Sequence, residues 1–293
     1  SINLGLGDIF LRVYISNYLS ETISILDYNS FEFIKNINLG ENINPKNFCV
    51  FKDYIYIHSE SDGFLYLLDL TKNKIVDSIF IGRFIKKFFI YNKEIFIINE
   101  DVNSIYIIDA YHLSPIGVIG IDDMPHDLDI YNNILYLTCR NSIIEIDINT
   151  KNIIKNSKFN FKPWSIKFDK IKKEIYTCTL DGKIIILDEQ LNIKTMKKEC
   201  MIPIEFEISY IYKKIYIVDL KSNSILILDY DTKDIIKKIE CDGYLQGMKL
   251  SNDFKYLFIS DTKNDLVKMY DCKDDCLINE VNSGKEPTTI SIV

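Results

Sequence analysis

One stretch, VYISNYLSETISILD (13–27), recurs six more times in recognisable form, and this constrains the fold more than any other feature. Close copies are IYIHSESDGFLYLLD, ending at Asp69, and IYIVDLKSNSILILD, ending at Asp229. Aligning the aromatic of each copy gives Tyr14, Tyr56, Phe96, Tyr136, Tyr176, Tyr216 and Phe258, spaced 42, 40, 40, 40, 40 and 42. Aligning the aspartates that close each copy gives Asp27, Asp69, Asp109, Asp147, Asp188, Asp229 and Asp271, spaced 42, 40, 38, 41, 41 and 42. Two independent rulers therefore mark seven units, over about 12–51, 52–91, 92–131, 132–169, 170–209, 210–251 and 252–293. A period of about 40 residues is that of propeller blades.

Each unit carries four short runs rich in Ile, Tyr, Phe and Val, separated by Asn, Asp, Gly, Lys and Ser, which reads as four strands. No stretch sustains a 3.6-residue apolar period, so the expectation is all-β with almost no helix. In DLTKNKIV, DINTKNII and DYDTKDII the aspartate ends a strand and opens a turn, where its carboxylate accepts a main-chain N–H two residues on. The seven aspartates are thus turn caps rather than catalytic acids. Pro45, Pro125, Pro163, Pro203 and Pro287 each precede a run of the form P-x-x-φ-x-φ, with Ile85 and Leu245 in the third and seventh blades. Proline has no N–H and suits the first residue of a strand or an edge.

The first VYISN strand lacks the P-x-x-φ strand that precedes it elsewhere, and the terminal PTTISIV is such a strand without a unit of its own. The second fills the gap left by the first. The expected fold is a single domain over 1–293, a seven-bladed β-propeller of four-stranded antiparallel blades closed by the C-terminal strand. Residues 1–9, SINLGLGDI, resemble the outer strand KNINLG but receive no place in this scheme.

With these motifs in view, the repeat resembles the YVTN-type propeller family of bacterial and archaeal surface-layer and periplasmic proteins. VYISN, SETISILD, a run ending in LG and then P-x-x-φ carry the likeness over essentially the whole chain. The family's Asn is kept at Asn17 and Asn99 and replaced by Ser59, Cys139, Thr179, Asp219 and Asp261. The resemblance implies a fold and bacterial relatives, not a chemistry, because propellers host many functions.

Charge limits the partners. A net charge of −7 and a pI near 5.2 argue against a nucleic-acid partner, which needs a basic face. No apolar run reaches the roughly 18–20 residues of a membrane helix, and SINLGLGDIF has no signal-peptide pattern. The seven cysteines are odd in number and lack a CxxC pair, so unpaired thiols of a reduced compartment are expected, with Cys272 and Cys276 as the one candidate local bridge. These points give a cytoplasmic monomer with no membrane insertion. The alternative is a surface or exported protein whose signal is not part of this chain.

The chain contains no GxGxxG, P-loop, GxSxG, HExxH or EF-hand loop, and neither a cofactor nor a metal site is expected. Candidates come from position instead. In a propeller the loops entering the innermost strands share one face with the loops leaving the VYISN strands. After the proline position stand Lys46, Lys86, His126, Trp164, Ile204, Gln246 and Thr288, and one further on Asn47, Lys87, Asp127, Ser165, Glu205, Gly247 and Thr289. The outgoing loops add His58, Glu60, Glu100 and Arg140, while His112 falls in a solvated turn. The expected ligand-binding set is Lys46, Lys86, His126, Asp127, Arg140, Trp164 and Glu205, suited to a small anionic or polar ligand held by Arg140 and covered by Trp164. Two functions fit. One is a non-catalytic binding or interaction propeller with a small polar ligand or protein partner. The other is a lactonase-like hydrolase or lyase, with His126 or Glu205 as base and Arg140 or Lys86 holding an anion.

Overall fold

The computed structural model describes residues 11–293. The question of where residues 1–9 belong lies outside the described residues. Those described form seven four-stranded antiparallel sheets and no helix. In the second blade the order from the axis outward is Pro45–Phe51, Tyr54–Ser59, Phe64–Asp69, Lys74–Phe80. The first blade is built from both ends of the chain, with Pro287–Ile292 innermost, then Arg12–Asn17, Thr22–Asp27 and Phe33–Asn38. The structure is a seven-bladed β-propeller closed as the terminal strand pattern implies. The sequence units are offset from the blades by one strand, because each P-x-x-φ strand pairs with the VYISN strand that follows it.

The apolar alternation of the strands is spent between blades. Seven buried clusters fill the seven blade interfaces. The one that closes the ring joins Phe258, Val267 and Met269 of the seventh blade to Val13, Ile15, Leu26, Ile290 and Ile292 of the first. The third strand face packs on the next blade and the outermost strands stay largely exposed, as in Lys74–Phe80. Every closing aspartate caps its turn. The N–H groups of Asn29, Thr71, Tyr111, Asn149, Gln190, Asp231 and Lys273 each donate to the aspartate two residues earlier, at 2.7–2.9 Å.

The position held by Asn17 and Asn99 has a second job. Asn17 lies buried and donates to Thr22 and Ser24 while accepting from Ser283. Asn99 donates to Ile81 O, and Asp219 accepts from Met201 N and Ile202 N. Each ties down the loop that leads into an inner strand, so any short polar side chain serves there. That explains the drift among Asn, Asp, Ser and Thr. The seven cysteines are unpaired; Cys139, Cys178, Cys200 and Cys272 are buried and Cys276 is exposed.

Candidate functional site

The seven inner strands surround a channel, and one cavity of about 480 Å³ runs along it. A regular strand would aim successive side chains at opposite faces. Here the register slips just after the first residue of the inner strand. Pro125 faces Cys139 while Asp127 faces Thr138, so His126 is an extra, unpaired residue. Lys46, Lys86 and Ile204 are displaced in the same way. Such bulges re-aim side chains, and they let two consecutive residues per blade face the channel. Lys46, Lys86, His126, Asp127, Trp164 and Glu205 all line this cavity.

Arg140 does not line it. The guanidinium is exposed and its Nη2 lies 3.9 Å from Met124 Sδ, so the structure does not bring it to the other expected residues. Glu100, on the equivalent outgoing loop, does reach the mouth, so the difference is that the long Arg140 side chain lies against Met124 instead. His58 is also displaced from the mouth. It is fully buried on Tyr54–Ser59 with Nε2 3.2 Å from Gly82 O, and burial pushes its pKa down to about 4. His112 sits in its exposed turn, 3.0 Å from Asp109.

A third layer went unnoticed in the sequence. Asp129, Lys167, Glu207 and Lys249, two residues beyond the second layer, also line the cavity. Their signal was present as the polar x before the last φ in P-x-x-φ-x-φ.

Most of these polar groups have partners, and the partners form a system. An inner strand presents its one unpaired edge of main-chain groups to the channel, and the neighbouring blade satisfies part of it. Asn47 of the second blade donates to Ile85 O and Lys86 O. Lys87 of the third donates to Asp127 at 2.9 Å and Leu128 O at 3.1 Å. Asp127 and Asp129 of the fourth accept from Ile166 N at 3.0 Å and Phe168 N at 2.7 Å. Lys167 of the fifth pairs with Glu207 of the sixth at 2.9 Å. Glu205 accepts from Met248 N at 2.9 Å. Ser260 of the seventh donates to Thr288 O at 2.7 Å, and Thr289 of the first to Lys46 O at 2.9 Å. The ring is laced at all seven junctions, which satisfies groups that would otherwise be left unpaired. The approach is so close at one junction that a Cβ on Gly247 would lie 2.1 Å from Thr288 O.

The residues free of this lacing cluster at the mouth. His126 and Trp164 pack with ring centroids 4.6 Å apart at 33°. Lys86 Nζ lies 5.4 Å from the Trp164 ring and 2.8 Å from Glu100, and His126 Nδ1 is 3.3 Å from the other oxygen of Glu100. That last contact is too poorly aligned for a hydrogen bond, leaving Nδ1 without one. Burial holds the His126 pKa below its ordinary value, with Lys86 adding to the effect and Glu100 opposing it. Trp164 also packs on the apolar cluster between the fifth and sixth blades, and its carbonyl accepts from Thr138 at 2.7 Å. On the other side of the mouth Lys46 lies 3.7 Å from Glu60.

Deeper in the channel, charge is unevenly matched. Burial weighs against charge on Lys167 and Glu207, yet each outweighs it for the other, and Lys249 adds to the hold on Glu207. Glu205 lacks such a partner. Burial and the neighbouring Glu207 push its pKa up to about 7, against the pull of Lys87 and the Met248 N–H. Among the described residues no three His, Cys, Asp or Glu side chains form a metal-binding group.

No protein-family model matches this chain, and no curated protein sequence does. Its shape has many counterparts. A Bacteroides fragilis protein provisionally named a 6-phosphogluconolactonase superposes with a TM-score of 0.78 at 15% identity, over 98% of this chain and 99% of that one. Apo AztD from Citrobacter koseri gives 0.74 at 11% identity, over 97% and 98%. The dihydro-heme d1 dehydrogenase NirN, in complex with DHE, gives 0.74 at 15% identity, over 96% of this chain and 74% of that one. Identities this low carry the fold alone, and the chain is similar to these proteins as a propeller.

Proposed function

We propose that this chain is a non-catalytic binding propeller that takes a small polar ligand into the mouth of its central channel. The observation that carries this reading is the His126–Trp164 pair, with Lys86 against the indole, standing over a 480 Å³ cavity. The wall below is committed to lacing, but these mouth groups are not needed to close the ring. An aromatic face with a few convergent polar groups is what a pre-formed small-molecule site offers. The lactonase-like alternative has less support. Arg140 lies outside the cavity and Lys86 is held by Glu100, so the anion-holding role has no free occupant beside His126.

The test uses Trp164, the only tryptophan in the chain. A panel of small polar metabolites is screened by thermal shift, and each hit is titrated by Trp164 fluorescence. A ligand of the mouth changes the emission, and His126→Ala weakens it at least about tenfold, or 1.4 kcal/mol. Hits that leave Trp164 silent and ignore His126→Ala would overturn this reading.

A further inference from the structure

The channel contains cations and carboxylates in abundance, and the distances show which of them are available. Lys46 is 3.7 Å from Glu60, Lys86 2.8 Å from Glu100, Lys87 2.9 Å from Asp127, and Lys167 and Lys249 are 2.9 and 3.7 Å from Glu207. Every lysine that lines the cavity therefore has a carboxylate within 4.0 Å, with Lys167 and Lys249 sharing Glu207. The carboxylates are not matched in return. Asp129 spends both oxygens on the N–H groups of Ile130 and Phe168. Glu205 accepts one main-chain N–H through Oε2, and no Lys or Arg nitrogen of the described residues comes within 4.0 Å of it. No donor among the described residues bonds its other oxygen, and the residue lines the cavity.

A second observation points the same way. His126 lines this cavity with a side chain 9% exposed and no hydrogen bond at Nδ1. Burial weighs against a positive charge on it, so it offers an anion little attraction. The one cation that could have done so, Arg140, is outside. An anionic guest would find no cation without a carboxylate beside it and would meet Glu205. A cationic guest would supply the partner that Glu205 lacks, in a confined space where charge pairs are less screened than in bulk water.

We infer that the ligand of this channel is a small organic cation, with an ammonium group that pairs with Glu205 and an uncharged part that lies against Trp164. This rests on the binding reading above and reverses the anionic ligand expected from sequence. Glu205 is the specificity-determining residue, and the mouth pair supplies contact area.

The test compares putrescine and spermidine with succinate, a dianion of the same carbon count as putrescine. Binding is read by calorimetry and Trp164 fluorescence at pH 8 and pH 6. One or both amines should bind, and succinate should not. Glu205→Gln should weaken the amine at least tenfold without lowering the melting temperature, and Glu205→Asp should recover part of the loss. The amine stays protonated at both pH values, so binding should be roughly tenfold weaker at pH 6, the change in ionised Glu205 for a pKa about 7. Glu205 shares the cavity with Glu207 on its own strand, with Asp127, Asp129, Lys87, Lys167 and Lys249 from four other blades, and with Lys46, Lys86 and His126 at the mouth. Loss of the pH dependence in Glu205→Gln assigns it to Glu205 rather than to His126. Succinate binding with a Trp164 response, while neither amine binds, would overturn the cation inference and leave the mouth site standing. Amine binding that ignores Glu205→Gln would overturn it as well. Silence from all three compounds would count against both the cation and the mouth.

Discussion

Arg12 and Val293 exchange both of their main-chain hydrogen bonds, Arg12 N–H donating to Val293 O at 2.7 Å and Val293 N–H donating to Arg12 O at 3.0 Å. Residues 281 positions apart thus sit side by side in one sheet. The innermost strand of the first blade also brings Ile290 and Ile292 into the cluster that seals the seventh blade to the first. Removing residues 286–293 would expose an unpaired edge and open that interface. The loss should exceed a stability of ~5–15 kcal/mol. The truncated chain should show no cooperative melt and should aggregate; an unchanged melting temperature would contradict ring closure through this strand.

Lacing residues should behave differently from mouth residues. Asp127→Ala strips a charged partner from Lys87 and an acceptor from Ile166 N–H. Denaturant unfolding should show a loss of about 1.5–3 kcal/mol, the range for hydrogen bonds to charged groups. A loss of a few tenths of a kcal/mol would mean that the channel wall does not hold the blades together.

The blades are also latched near their rims. Tyr216 of the sixth blade, 1% exposed, donates to Asp275 at 3.0 Å, and Asp275 also pairs with Lys214 at 2.7 Å. Tyr216→Phe keeps the packing and removes the hydroxyl. It should cost about 1–2 kcal/mol by urea unfolding, whereas Tyr106→Phe, whose hydroxyl makes no such link between blades, should be near neutral.

Acid stability contains two opposed contributions. The folded pKa of His58 is depressed from 6.5 to about 4. Its contribution is present above 6.5 and is lost as pH falls through 4, an amount of about 3 kcal/mol at 1.36 kcal/mol per unit. The folded pKa of Glu205 is raised from 4.5 to about 7. Its contribution is present below 4.5 and is lost as pH rises through 7. The two largely cancel between pH 4.5 and 6.5, so the wild type should show only a shallow fall in melting temperature there, from His126, whose pKa is also held below 6.5. Glu205→Gln should unmask the His58 slope and melt progressively lower from pH 6.5 to 4. Below the ordinary aspartate value of 3.8, the capping carboxylates of Asp27 and Asp109, held low by main-chain N–H groups, add a further loss. A pH-independent melting temperature in Glu205→Gln would contradict the assignment.

How far the chain could be read from its letters follows from what repeats. Blade count, strand number, capping aspartates and closure are legible because the same physical demand occurs seven times, and Asp27 and Asp229 answer it alike. The mouth is partly legible. His126 and Trp164 stand out as rare residues at one repeat position, but the bulge that turns His126 inward leaves no mark on composition. Arg140 was misplaced because a repeat fixes which loop a residue occupies, not where a long side chain lies. The charge of the site is less legible for a related reason. Counting Lys46, Lys86 and Arg140 suggests an anion, and only the distances to Glu60 and Glu100 show that both lysines already have carboxylate partners.

The most direct measurement is a crystal structure of the protein with the tightest-binding compound from the screen. The account predicts density in the channel mouth, in contact with Trp164 and within hydrogen-bond reach of Glu205. Density on the outer strands or on the opposite face, with the channel occupied by water alone, would contradict it.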